Sequence, residues 1–173
     1  MEIEIRKATP SDLNNLAVLK QQVWISTYAI DGLIEEFSSY VLAEYSVENV
    51  RKSITNKDKL TLIATCNGCL VGCVEILLSP KNPVKEVEPC IEISTFYILE
   101  RFQGAGIGKK LLTECLKVIE RLNHTKVWLS VYYKNQNAID FYLRQGFNHI
   151  GEMDFILGEG KHKNYIMIRD IKE

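Results

Sequence analysis

The residues best suited to chemistry form one short run, Arg101-Phe102-Gln103-Gly104-Ala105-Gly106-Ile107-Gly108-Lys109-Lys110. Glycines at alternate positions leave the backbone free of Cβ atoms, so a ligand can approach it closely. After the run, Leu111, Leu112, Cys115, Leu116, Ile119 and Leu122 recur at three- and four-residue spacing, the buried stripe of an amphipathic helix. Before it, residues 91–99 are rich in β-branched and aromatic side chains, as in a buried strand. A strand, a glycine turn and a helix start bring unpaired N–H groups and the positive helix end to one point, which suits a phosphate.

Spacing separates the sites built this way. A Walker loop needs Ser or Thr after Gly-Lys to hold magnesium, and here Lys110 follows Gly108-Lys109. A dinucleotide fingerprint counted from Gly104 would need its third glycine where Lys109 stands. What remains is Gln-x-x-Gly-x-Gly, read as Gln103, Gly106 and Gly108.

The elements that must position this loop follow from pattern. Ile3 and Ile5 alternate with polar residues as a first strand, and Thr9-Pro10-Ser11-Asp12 predicts a capped helix start. From Ser26 to Ile54 a broken helical pattern is interrupted at Gly32 and restarted at Ser46. Residues 60–65 and 70–77 read as strands joined at Asn67-Gly68, and Ser79 to Pro89, with three prolines, reads as a loop. Beyond the glycine loop and its helix come a strand over 126–131 and a helix from Asn135 to Arg144 ended by Gly146. Strands over 147–155 and 165–168 turn at Gly158-Glu159-Gly160. The order β-α-α-β-β-β-α-β-α-β-β predicts an α/β domain spanning 1–173, with a mixed sheet flanked by helices.

Composition bounds the function. With 46% apolar and 25% charged residues the chain has a globular balance, and a formal net charge of −1 gives no reason to expect a nucleic-acid surface. No apolar run is long enough to cross a membrane, and Met1-Glu2-Ile3-Glu4-Ile5-Arg6 lacks a signal-peptide pattern, so the expectation is cytoplasmic. Five cysteines form no disulfide framework. Cys66-Asn67-Gly68-Cys69 has half a zinc spacing, but Asn-Gly explains it as a hairpin turn, and no metal is expected.

A second motif, Asn135-Gln136-Asn137-Ala138-Ile139-Asp140-Phe141-Tyr142-Leu143-Arg144-Gln145-Gly146-Phe147, follows the loop by one helix and one strand. Together the two motifs resemble those of the GCN5-related N-acetyltransferases (GNAT), and the resemblance covers essentially the whole chain. The helical segment with Trp24, Tyr28, Phe37 and Tyr40, together with Trp128-Leu129-Ser130-Val131, Gly151, Phe155, Gly158 and Ile166-Met167, is similar to the bacterial spermidine/spermine subgroup. The loop departs from some members at Gly104 and Ala105.

The resemblance implies acetyl-coenzyme A as co-substrate and a small-molecule amine as acceptor, with a polyamine the first candidate. It implies that Gln103, Gly104, Ala105, Gly106, Ile107, Gly108 and Lys109 hold the pyrophosphate. It places the pantetheine arm on the strand at Phe96, Tyr97 and Ile98, and a coenzyme contact at Asn135, which also reads as a helix cap. Tyr142 takes the general-acid position. Glu92, a carboxylate in a buried strand on the face of Ser94, Phe96 and Ile98, is the best candidate base, with a structural hydrogen-bonding role the alternative. Relatives are often dimers. A protein or peptide acceptor, or a non-catalytic acyl-coenzyme A binder, are the competing readings.

Overall fold

The structure, a computed structural model, describes residues 2–171. Its contacts divide the chain into two compact units, one from residues up to 75 with 95–115, the other from 76–94 with 116 onward.

In the first unit, β1 (Ile3–Lys7) pairs antiparallel with β2 (Lys59–Cys66), Ile3 opposite Cys66 and Lys7 opposite Leu62. Arg6 then makes a bidentate pair with Asp12 at 2.8 and 2.9 Å, and the same carboxylate accepts the Thr9 N–H at 2.8 Å. The Arg6 guanidinium in this way holds Asp12 down to about 2. The expected helix start is therefore present, but its first turn, Pro10–Asp12, is 3-10. Proline supplies the fixed φ and needs no N–H partner there.

Helix α1 (Leu13–Tyr28) follows and packs Leu13, Leu16, Ala17, Leu19 and Val23 against Val50, Ile63 and Cys73. Each Leu, Ile or Val side chain taken out of water here contributes roughly 1.5–3 kcal/mol. Where two helices were expected before β2 there are three. Gly32, at φ 113°, makes the expected break, and α2 (Glu35–Glu44) follows. A second break comes at Tyr45, after which Ser46 caps α3 (Val47–Thr55) by accepting the Asn49 N–H at 3.3 Å.

Asn67 (φ 48°) and Gly68 (φ 78°) are both left-handed, as the two-residue hairpin between β2 and β3 requires. Cys69 on this turn is exposed and Cys66 buried; among the described residues no group of three or more His, Cys, Asp or Glu could hold a metal. Strand β3 (Cys69–Lys81) runs past Ser79, so Ser79-Pro80-Lys81 is strand where a loop was expected. The loop proper is 82–89, and β4 (Cys90–Ile98) follows.

Helix α4 (Ile107–Arg121) buries Ile107, Leu111, Leu112, Cys115 and Ile119, the expected stripe. Leu116 is half-buried, and Leu122 lies beyond the helix end, 44% exposed, outside that stripe. In the second unit β5 (Lys126–Tyr132), α5 (Gln136–Arg144), β6 (Asn148–Leu157) and β7 (Gly160–Asp170) complete the chain. The last two strands are longer than the pattern suggested, and Gly160 belongs to β7 rather than to the turn. The alternation of β6 is weak because exposed Asn148, His149, Glu152 and Asp154 interrupt it, while most of β7 is buried or half-buried.

Among the described residues seven strands form one mixed sheet in the order β1-β2-β3-β4-β5-β7-β6, the α/β class expected. The β4–β5 pair is parallel and matches only Ile91 with Val127, Glu92 with Trp128 and Ile93 with Leu129. Strand β7 runs antiparallel to both β5 and β6. No helix among the described residues is long and apolar enough to cross a membrane.

Candidate active site

The first unit carries the glycine loop. After β4 a 3-10 turn, Glu100–Phe102, reverses the chain, with the Phe102 N–H on the Leu99 carbonyl and the Gln103 N–H on the Glu100 carbonyl. The Gln103 side chain donates back to the Ile98 carbonyl at 3.2 Å, tying the loop to the end of β4. Gly104 (φ 75°) and Gly106 (φ 80°) adopt left-handed backbone that a side chain would strain, and no atom lies within 4 Å of where their Cβ would stand. The turn is thus both glycine-dependent and open.

The Lys110 N–H reaches the Gly106 carbonyl at 3.1 Å and closes the first turn of α4. Ile107, Gly108 and Lys109 precede that bond, so their N–H groups are the ones a helix start leaves without an intrahelical partner. Ile107 is fully buried and anchors the turn, whereas Lys109 and Lys110 are exposed. Gly108 differs from the other two glycines, being an ordinary helical residue. Gly106, Lys109, Lys110, Thr113 and Glu114 line an open groove of about 570 Å³ together with Ile3 and Ile5. A backbone cradle at a helix N-terminus beside two lysines has the chemistry to hold a phosphate or pyrophosphate.

On β4, Phe96 is half-buried and Ile98 buried. The Tyr97 side chain packs on the α1–α3 cluster and its hydroxyl meets that of Tyr45 at 3.2 Å. Burial pushes both phenols above their ordinary value. Tyr97 can therefore offer a ligand its backbone but not its ring. The same face carries Glu75 of β3, buried and saturated: Lys20 Nζ at 2.6 Å, Ser53 and Thr95 hydroxyls at 3.0 Å, and Lys59 Nζ at 3.6 Å. Burial alone would push this carboxyl up, but Lys20 and Lys59 outweigh it and hold it below its ordinary value. Nothing in the sequence pattern marked Lys20, Ser53 and Glu75 as partners.

Aromatic residues of α1 and α2 gather in this unit. Trp24 stacks on Tyr28 at 4.8 Å between centroids and meets Phe37 at 5.4 Å and Tyr40 at 5.1 Å. Between the two helices Ile30, Leu33 and Ile34 are 61%, 60% and 53% exposed, interleaved with exposed Asp31 and Glu35. Glu44 is exposed and Glu36 partly so.

The second unit carries Glu92, Asn135 and Tyr142. Asn135 caps α5, its Oδ1 accepting the Ala138 N–H at 3.2 Å, so the cap reading holds for the side chain. Tyr142 is buried on α5, its ring at 5.4 Å from Phe141 and 5.6 Å from Phe147. Gly146 (φ 81°) ends the helix and the Phe147 N–H returns to the Tyr142 carbonyl at 3.0 Å, which fixes the tyrosine at the helix end.

Glu92 projects from β4 with its side chain 14% exposed, and its Oε2 lies 3.2 Å from Lys81 Nζ. The contact is an ion pair only, since that oxygen has no aligned hydrogen-bond donor. Its register neighbour Trp128 is buried among Cys90, Ile166, Val84, Val87, Ile150 and Ile168, with an indole N–H that also finds no partner. Two unmatched buried polar atoms on neighbouring strands are uncommon. Lys81 was missed because it sits in what read as loop. Trp128 was read as part of a buried strand and of the subgroup resemblance, but its place beside Glu92 depends on strand register, which carries no local signal.

Comparison with known proteins bears on these residues. The profile of a family described as Acetyltransferase (GNAT) family matches residues 27–147. Spermidine N(1)-acetyltransferase of Thermoplasma acidophilum is 29% identical over 151 residues, covering 85% of this chain and 89% of that protein. Spermine/spermidine N(1)-acetyltransferase of Bacillus subtilis is 36% identical over 89 residues, 51% of this chain and 59% of that protein. Among solved structures, the PaiA N-acetyltransferase of Thermoplasma acidophilum, in complex with coenzyme A, superposes with a TM-score of 0.77 at 27% identity, covering 98% of this chain and 99% of that one.

Proposed function

Since the chain belongs to the acetyltransferase (GNAT) family, we propose that it moves the acetyl group of acetyl-coenzyme A to a primary amine of a small molecule, with a polyamine the first candidate. The observation that carries the coenzyme half is the pair of left-handed glycines, 104 and 106, opening directly onto the N-terminus of α4. No side chain stands where a pyrophosphate would approach, and the backbone N–H groups of Gly104 to Lys109 receive it, the Gln103 N–H being taken by the Glu100 carbonyl. Lys109 and Lys110 add charge. The backbone of Phe96 to Ile98 receives the amide-rich pantetheine arm in the manner of an added strand. That a relative of similar fold is complexed with coenzyme A supports the same assignment.

The acyl donor supplies an activated thioester; the protein must manage protons. An acceptor amine is an ammonium at neutral pH, and its lone pair is needed for attack on the carbonyl. Glu92 takes that proton. As the C–N bond forms and the C–S bond breaks, the sulfur leaves as a thiolate and takes the Tyr142 hydroxyl proton, a phenol staying protonated at neutral pH until then. The second proton shed by the attacking nitrogen restores that hydroxyl through solvent, and the proton on Glu92 is released. Asn135 orders the start of α5 and through it the position of Tyr142.

For the acceptor, support comes from the two polyamine acetyltransferase relatives and from the α1–α2 connection. Exposed Ile30, Leu33 and Ile34 alternate with Asp31, Glu35 and Glu36, a surface on which methylene and ammonium groups of a linear polyamine would each find a counterpart. The test is calorimetric titration with acetyl-coenzyme A, followed by thiol release over a panel of polyamines, monoamines and peptide N-termini. Binding of acetyl-coenzyme A with turnover fastest on spermidine or spermine is the expected result. Turnover confined to peptides would overturn the acceptor assignment.

A further inference from the structure

We infer that Lys81 is a built-in counter-cation for Glu92, holding in the free enzyme the carboxylate oxygen that an acceptor ammonium takes over, and so setting the affinity for cationic amines. The inference rests on the reading of Glu92 as the proton acceptor.

Two of the lysine–glutamate pairs contrast with each other. Lys20 and Glu75 are 6% and 4% exposed, meet at 2.6 Å in a hydrogen bond, and are completed by Ser53 and Thr95. That pair is fixed. Lys81 and Glu92 are 54% and 14% exposed and stand 3.2 Å apart without hydrogen-bond alignment. Lys81 is the last residue of β3, so its side chain can leave at little cost. Glu92 cannot, because it is rooted within β4 as the register partner of Trp128, which Val84 and Val87 pack against.

A carboxylate in such surroundings needs a cation. The unmatched indole N–H of Trp128 and the unmatched Oε2 of Glu92 lie on register partners, and the β4–β5 pairing stops one residue further on, at Ile93 and Leu129. The protein alone leaves this end of the paired segment incompletely satisfied. A primary ammonium presents three N–H donors and is the chemical equivalent of the Lys81 head group, so the two compete for one oxygen. A half-exposed ion pair contributes weakly, which makes Lys81 displaceable and sizes its effect at about two- to fivefold in amine affinity.

The experiment is steady-state kinetics by thiol release at saturating acetyl-coenzyme A, with whichever amine the panel ranks first as the varied substrate. Lys81→Met should lower the KM for that amine about two- to fivefold, with kcat and the KM for acetyl-coenzyme A little changed. Lys81→Gln, uncharged but polar, should do the same. Lys85→Met, which removes an equal charge from an exposed position in the neighbouring loop, should not. An unchanged or raised amine KM in both Lys81 variants overturns the inference, as does an equal fall in Lys85→Met. Glu92→Gln separates the two levels: full activity in that variant withdraws the base assignment and this inference with it. Loss of activity there, beside unchanged KM in the Lys81 variants, removes the counter-cation role alone.

Discussion

The hydroxyl of Tyr142 is the smallest unit on which the proposed chemistry depends. Its ring is already held by Phe141 and Phe147, so removing one oxygen leaves the packing of α5 in place. Tyr142→Phe should keep the melting temperature and the acetyl-coenzyme A affinity while kcat falls on the order of a hundredfold to ten-thousandfold; stopped-assay kinetics beside calorimetry would read both. Undiminished kcat would mean that solvent protonates the leaving sulfur. The glycines offer a second residue-scale test. At Gly104 and Gly106 any side chain strains left-handed backbone, so loss of binding there would mix two causes. Gly108 is helical, and alanine favours a helix over glycine by up to about 1 kcal/mol. Gly108→Ala is therefore expected to be at least as heat-stable as the parent and yet to bind acetyl-coenzyme A at least tenfold more weakly (about 1.4 kcal/mol). Undiminished affinity in that variant would place the pyrophosphate elsewhere.

At the scale of elements, Glu75 joins four of them by side-chain contacts: Lys20 from α1, Ser53 from α3, Lys59 from β2 and Thr95 from β4 all converge on its two oxygens. Glu75→Ala would strand a buried Lys20 ammonium, and breaking a buried pair in this way costs about 3–5 kcal/mol. Chemical denaturation should show that loss, and the pair Lys20→Met with Glu75→Leu should recover most of it, since apolar residues need no counter-charge. An Ala variant as stable as the parent would show that water reaches the lysine. This cluster also marks the limit of what the sequence conveys. Periodicity exposed the stripe of α4, Asn-Gly exposed the hairpin, and the spacing of Asn135, Tyr142 and Gly146 exposed α5, because each signal is local. Both breaks in the helical segment before β2, at Gly32 and ahead of Ser46, were legible; the count of two helices fell short because the ten residues of α2 between them read as part of one broken helix. Partnerships such as Lys20 with Glu75 (55 residues apart) or Lys81 with Glu92 depend on strand order and register, which no local pattern encodes. The candidate loop was legible, and the counter-charges around it were not.

For the molecule as a whole, a formal net charge of −1 gives almost no overall attraction for a cation. Any preference for a polyamine must come from how charge is distributed, and the candidates are Asp31, Glu35, Glu36 and Glu44 on and before α2. Each exposed pair they make with a substrate ammonium contributes roughly 0.2–1 kcal/mol, so two or three together give about 1–2 kcal/mol. That corresponds to a preference of about five- to thirtyfold in kcat/KM for spermidine over a monoamine with an uncharged tail of the same length. Because these carboxylates face water, the preference should be largest near 10 mM salt, where screening reaches about 30 Å, and should shrink towards unity at 1 M, where it reaches about 3 Å. The monoamine is the internal control, since it shares the reacting ammonium and Glu92 but not the distal charges. A spermidine advantage that persists at 1 M salt would assign it to desolvated contacts instead of the acidic segment. If spermidine has no advantage at either salt, the carboxylates of α2 only solvate its surface, and the acceptor is a primary amine without a second charge.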